Sequence, residues 1–110
     1  MPPIFIYITC ADAEEAEKIG RAAVEARVAA CANVIPGMKS IYLWEDKAEM
    51  AEETVLILKT QQPLFDRVVG LVKELHSYDM PCIVALPLVA GTAEYLDWLA
   101  SATDDGLQEA

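Results

Sequence analysis

Residues 32–45 read ANVIPGMKSIYLWE, and how this stretch is parsed decides the fold. Its two halves, residues 32–35 and 39–44, are rich in β-branched, aromatic and other apolar side chains that suit a pleated surface, so both read as strand. Between them stand Pro36, which cannot donate to a ladder, and Gly37, which relaxes the backbone. The pair marks a bulge or bend in one long strand. Beyond it, Glu45, Asp46, Glu49, Glu52 and Glu53 are set against a lone Lys47, and residues 45–52 read as a hairpin loop. The next run, TVLILKT at 54–60, is an unbroken apolar strand expected at the centre of a sheet with both faces covered.

Upstream, residues 4–9 read as a first strand. Asp12 with Glu15 three positions later resembles a capping box. It opens a helix whose stripe of Ala16, Ile19, Ala23, Ala26 and Ala30 allows close approach to a sheet. Downstream, Pro63 suits a first helical turn. Leu64, Val68, Leu71, Val72 and Leu75 then hold the helical period as far as His76. Residues 77–81 break the pattern, and CIVAL at 82–86 reads as a fourth strand closed by Pro87. Gly91 and Thr92 start a short helix carrying Tyr95, Leu96, Trp98 and Leu99. From Thr103 the chain reads as a flexible acidic tail. The order β-α-β-β-α-β plus one helix is an α+β, ferredoxin-like arrangement, in a single domain spanning residues 1–102. Helices on one sheet face leave the other needing a cover, and association of subunits supplies it most simply.

The whole-chain numbers agree. The chain has 110 residues, 55% of them hydrophobic, and a mean hydropathy of +0.27, a surplus that points to apolar surface hidden in an oligomer. The net charge is −10 and the eight Lys and Arg are scattered, which argues against nucleic acid and anionic membranes as partners. Three widely spaced cysteines, Cys10, Cys31 and Cys82, fit neither a disulfide framework nor a zinc motif, and they suggest a reducing compartment. The opening MPPIFIYITC has no basic region before an apolar run too short for a signal peptide, and no stretch approaches a membrane span. The expected location is the cytoplasm.

Three blocks carry a family resemblance: RVAACANVIPGMKSIYLWEDK at 27–47, HSYDMPCIVALPL at 76–88 and EYLDWL at 94–99, with LILKT at 56–60 between them. Together they resemble the CutA family of divalent-cation-tolerance proteins. The resemblance implies a ferredoxin-like homotrimer in which neighbouring strands extend each other's sheets, as in the nitrogen-regulatory signalling trimers. It also implies a link to tolerance of divalent metals, copper in particular, with no established catalysis and no obligatory cofactor. The expected partners are other copies of the chain and metal ions, copper or another divalent ion.

Within that resemblance, Cys31 matches the family cysteine. It reads either as a soft metal ligand or as a small buried residue at a helix-to-strand junction. His76, the only histidine, opens a turn like the family's His-Pro-Tyr, with Ser77 in place of proline. It reads as a metal contact or as a helix-terminal histidine facing the last carbonyls. Cys31 and His76 are the candidate metal ligands. Cys10 lies where a metal chaperone of this fold would begin a Cys-x-x-Cys loop, but residue 13 is alanine. It is also two residues from the position of the family's copper-linked cysteine. Cys82 stands where the family often has an acid, and strand packing is its expected role. Tyr42, Trp44, Glu45, Lys59 and Tyr78 are candidates for an inter-subunit cleft or for the trimer interface itself. Asp46 stands where the family usually has glycine.

Rival functions have less support. The loop after the first strand holds no arginine and carries Asp12, which would repel a phosphate. A Cys-His dyad of Cys31 or Cys82 with His76 fits the spacing, but nothing else points to it. No catalytic residue is assigned, and the chain is expected not to be an enzyme. The alternative is a signalling or scaffold trimer holding a small ligand in its inter-subunit clefts.

Overall fold

Ile4, Ile6, Ile8 and Cys10 are all buried while the residues between them are not, the period of two that marks a strand covered on one face. They belong to β1 (Pro3–Cys10) in a computed structural model that describes residues 2–103. The remaining elements are α1 (Ala13–Glu25), β2 (Cys31–Trp44), β3 (Lys47–Gln61), a 3-10 turn (Gln62–Leu64), α2 (Phe65–Leu75), β4 (Ile83–Pro87) and α3 (Ala93–Ala102). The four strands form one antiparallel sheet in the order β2-β3-β1-β4. This is the expected ferredoxin-like order with its extra helix.

One sheet face carries α1 and α2. Ile19, Ala23, Val68 and Val72 meet Ile6, Ile8, Leu56 and Leu58 there in a continuous core. Gly20 permits the close approach of α1, since a Cβ at that position would stand 2.9 Å from the Ala32 Cβ. The Asp12 cap forms as expected, its carboxylate accepting the Glu15 N–H at 2.8 Å. Glu15 reaches back one residue further than a standard box, to the Ala11 N–H at 3.0 Å.

The far end of α1 departs from the expected stripe. Arg27 is left-handed (φ 62°), and the Arg27 and Val28 N–H groups bond back to Val24 (3.0 Å) and Ala23 (3.1 Å). That is a Schellman end built without glycine. It stops the helix before Ala26 and Ala30 can extend the stripe, and it turns Val28 and Ala29 into the core instead.

The bulge at Pro36-Gly37 is present as a register shift between Ile35 and Met38, with Gly37 at φ 81°. The expected loop over 45–52 is not. Only Glu45 and Asp46 turn, with φ of 50° and 67°, and β3 begins at Lys47. Ile41 pairs with Met50, Tyr42 with Glu49 and Lys39 with Glu52, so acidic residues are strand because their partners are. The result is a two-stranded arm, residues 38–53, that gives the molecule a 46 Å long axis. Positive φ at both turn residues favours Asn-Gly in place of Glu-Asp. Glu45→Asn with Asp46→Gly is expected to stabilise the chain by about 0.5–1 kcal/mol, read from denaturant midpoints at fixed protein concentration.

The opposite sheet face presents Phe5, Tyr7, Ile35, Val55, Ile57, Val84 and Leu86, and α3 covers it only at one end. There the Lys59 ammonium lies 5.1 Å from the Phe5 ring and 5.8 Å from the Tyr95 ring. Gln61 donates to Thr103 and to the Ala100 carbonyl. Thr103 is therefore a buried helix end and not the start of a tail. The rest of the expected tail, residues 104–110, lies outside the described residues. Cys82 precedes β4 and is exposed, so its expected strand packing does not occur within the chain. Among the described residues, no helix is long and apolar enough to cross a membrane.

Candidate functional site

In this topology α1 begins where β1 ends, and α2 runs back to finish at the same end of the sheet. Cys10, Glu15 and His76 are thereby brought together from the end of β1, the first turn of α1 and the residue after α2. One potential ligand atom from each lies within 4.8 Å of the others.

The imidazole is held from both sides. Its Nε2 lies 2.8 Å from the Thr9 carbonyl, and its Nδ1 receives the Tyr78 N–H at 3.0 Å. A carbonyl can only accept and an amide N–H only donate, so these partners assign the neutral tautomer with the proton on Nε2 and the lone pair on Nδ1. The side chain is fully buried, and Nδ1 stands 3.8 Å from Glu15 Oε1. Tyr78 packs its ring 4.8 Å from the imidazole and donates its hydroxyl to Glu53, at the foot of the arm, at 2.8 Å.

Glu15 ties the corner together, accepting from Ala11 N–H through Oε1 and from Ser77 N–H through Oε2 (2.9 Å). Burial pushes its carboxyl up, but the hydrogen bonds from Ser77 and Ala11 outweigh it and hold the carboxyl below its ordinary value of 4.5. A depressed carboxyl contributes stability above that ordinary value and loses it as pH falls through the folded one. Glu15 is thus expected to add acid sensitivity below pH 4.5. Unfolding midpoints measured against pH should fall less steeply there in Glu15→Gln, and parallel curves would contradict this.

Burial, joined by the charges of Glu15, Asp12 and Glu53, pushes the Cys10 thiol up to about 12. Cys10 is accordingly a thiol at neutral pH, which suits a nucleophile poorly. Tyr78 is likewise pushed up by burial and by its bond to Glu53.

The other sequence candidates are dispersed within one chain. Cys31 pairs with Lys59 on β3, whereas Thr9, the partner of His76, pairs with Val55. Four residues of strand, roughly 13 Å, separate those positions. The alternation of the ladder also sends Cys31 toward the face opposite Cys10. Tyr42, Trp44 and Glu45 lie at the tip of the arm, Lys59 lies under α3, and Tyr78 lies at the arm's foot. The sequence marks Cys10 as a candidate and Glu15 as a cap only. The signal that joins them is topological, because the end of β1 and the end of α2 share one end of the sheet.

The model of the family described as "CutA1 divalent ion tolerance protein" matches residues 4–102. The Archaeoglobus fulgidus "Divalent-cation tolerance protein CutA" is 46% identical over 95 residues, 86% of this chain and 92% of the relative. The Arabidopsis thaliana "Protein CutA, chloroplastic" is 38% identical over 94% of this chain but only 57% of the relative, so the chain spans little more than half of that protein. The crystal structure of CutA1 from Oryza sativa superposes with a TM-score of 0.92 at 36% identity, covering 96% of each chain. Sequence and fold agree, and the chain belongs to the CutA1 divalent ion tolerance family.

Proposed function

We propose that this chain works as a non-enzymatic homotrimer that binds divalent or copper ions modestly in the cytoplasm. The observation that carries the assembly is uncovered apolar surface. On the arm, Ile41 is 74% exposed, Leu43 78%, Trp44 63% and Met50 65%. Val84 and Leu86 are each half exposed on the open sheet face. A lone two-stranded ribbon is marginal in water, and the apolar side chains of this one stand exposed. Among the described residues, the outer edges of β2 and β4 are both unpaired, so neighbouring copies can extend the sheet. In that assembly Tyr42 and Trp44 act as anchors. Glu45, Lys59 and Tyr78 face one another only if different copies supply them.

The ion-binding part of the reading rests on the family and on the soft donors of the chain. Cys31 and His76 remain candidates for it, with the separation between them bridged only between copies. The family is described by tolerance of divalent ions and not by a reaction, and the protonated Cys10 thiol beside His76 is consistent with a non-catalytic role. Free cysteines at 10, 31 and 82 support a reducing location, and the net charge of −10 argues against nucleic acid.

Two measurements test this reading. Amide exchange across residues 38–53 is expected to be slow at high protein concentration and to speed up on dilution. Fast exchange at every concentration would refute the arm as an interface. Calorimetric titration with zinc and copper(I) against a competing chelator is expected to show micromolar binding, about −8 kcal/mol. No heat with either ion would refute the ion-binding reading.

A further inference from the structure

A surface lysine ordinarily carries its ammonium out into water on a flexible stem. Lys59 does not. It is partly buried on the open sheet face, flanked by Phe5 on β1 and Cys31 on β2. Its ammonium leans toward β1 and lies near two rings at once, 5.1 Å from the centre of Phe5 and 5.8 Å from that of Tyr95. Among the described residues no carboxylate pairs with it, although α3 carries Glu94 and Asp97. Neither α3 nor the neighbouring rows of the ladder on this face hold another lysine or arginine.

The walls around this cation are aromatic and apolar. Tyr95 leads on to Trp98, with ring centres 5.6 Å apart and planes tilted by 44°, and both side chains are exposed. Leu86, the ladder partner of Phe5, is half exposed on the floor. We propose that Lys59, Phe5, Tyr95 and Trp98 form a binding site for a small organic monocarboxylate with a planar aromatic body, its carboxylate on Lys59 and its rings against Tyr95 and Trp98. The proposal is independent of the ion-binding reading. The site lies where α3 meets the sheet, at one end of the open face, so association over the rest of that face is compatible with it.

The chemistry selects this class of ligand. A ring face attracts an ammonium without replacing an anion, so the N–H donors of Lys59 keep their capacity for a carboxylate. The rings and the strands beneath hold water away from part of the charge, which makes an ion pair there stronger than one at the open surface. One ammonium with no arginine fork beside it suits a single carboxylate and not a polyphosphate. The tilted Tyr95 and Trp98 rings offer a planar body both stacked and edge-to-face contact. An anion without such a body gains only the ion pair, and an aromatic without the charge leaves the ammonium as it was.

The test uses the full chain in its assembled state, with 2-naphthoate as probe and 2-naphthamide as its uncharged counterpart, both titrated by calorimetry. Naphthoate is expected to bind at about millimolar affinity or better, the scale for a ligand of its size. Naphthamide should bind roughly tenfold or more weakly, the cost of one charge-assisted hydrogen bond. Lys59→Met, which keeps the length of the stem, should bring naphthoate down to the level of naphthamide and leave naphthamide unchanged. In unsubstituted protein, which does not depend on any variant folding, naphthoate should shift the indole N–H resonance of Trp98 more than that of Trp44. Equal affinity for the two probes, naphthoate binding that survives Lys59→Met, or a Trp98 resonance unmoved at saturation each overturns the site. So does a failure of naphthoate to bind at millimolar concentration. Binding that appears only in Glu45→Gln would show that the arm of a neighbouring copy neutralises Lys59, and would overturn the proposal while leaving the assembly intact. None of these outcomes bears on the titration with metal ions.

Discussion

Leu58→Ala is expected to lower the stability of the chain by about 3–5 kcal/mol. Leu58 lies on β3, one of the two central strands, with no exposed surface, opposite Ile6 on β1 and Ala32 on β2. Removing its isobutyl group costs the transfer energy of the lost methylenes and leaves a cavity. Collapse is restricted because the neighbouring strands are hydrogen-bonded in register and α1 is already tight against Ala32 at Gly20. Unfolding should be followed in denaturant at one fixed protein concentration, since association contributes to apparent stability. A loss below about 1 kcal/mol would show that the sheet face under α1 and α2 is not the close-packed core described here.

The second large effect concerns assembly. Trp44→Ala is expected to weaken subunit association by about 2 kcal/mol or more per contact, roughly 30-fold in each dissociation step. Trp44 contributes little to the core of its own chain, being 63% exposed at the tip of the arm. Its loss should therefore appear in the concentration dependence of the oligomer and not in the secondary structure of the separated subunit. Sedimentation over a dilution series reads the effect, with circular dichroism as the control. An unchanged oligomer in Trp44→Ala would remove Trp44 from the interface.

Much of the fold was legible because its signals are local. The period of two in β1, the Asp12 cap, Pro63 ahead of α2 and the Pro36-Gly37 bulge each depend on a few neighbouring residues, and each appears where the sequence places it. The arm was misread for the opposite reason. Residues 47–53 are acidic and would not choose a strand alone. Their conformation is set by the aromatic and apolar strand they pair with, across a two-residue turn whose Glu45 and Asp46 lack the usual glycine signal. The end of α1 was misplaced similarly, since Arg27 takes the left-handed position that glycine commonly marks.

The corner around His76 was half legible. The sequence marks His76 as the end of α2 and as a metal candidate, and the family resemblance sets Cys31 beside it. The register of β2 on β3 then separates Cys31 from His76 within the chain, while the course of α2 across the sheet delivers His76 to Cys10. Glu15 could be read locally only as a cap, because its second hydrogen bond, to Ser77, spans 62 residues.

The uncovered sheet face and the projecting arm are the features on which the functional account depends, and the mass of the protein in solution tests them most directly. Sedimentation equilibrium at micromolar concentration should give three times the 12.0 kDa of one chain. A single species at 12.0 kDa, with the arm and its exposed Ile41, Leu43 and Trp44 standing free in water, would contradict it.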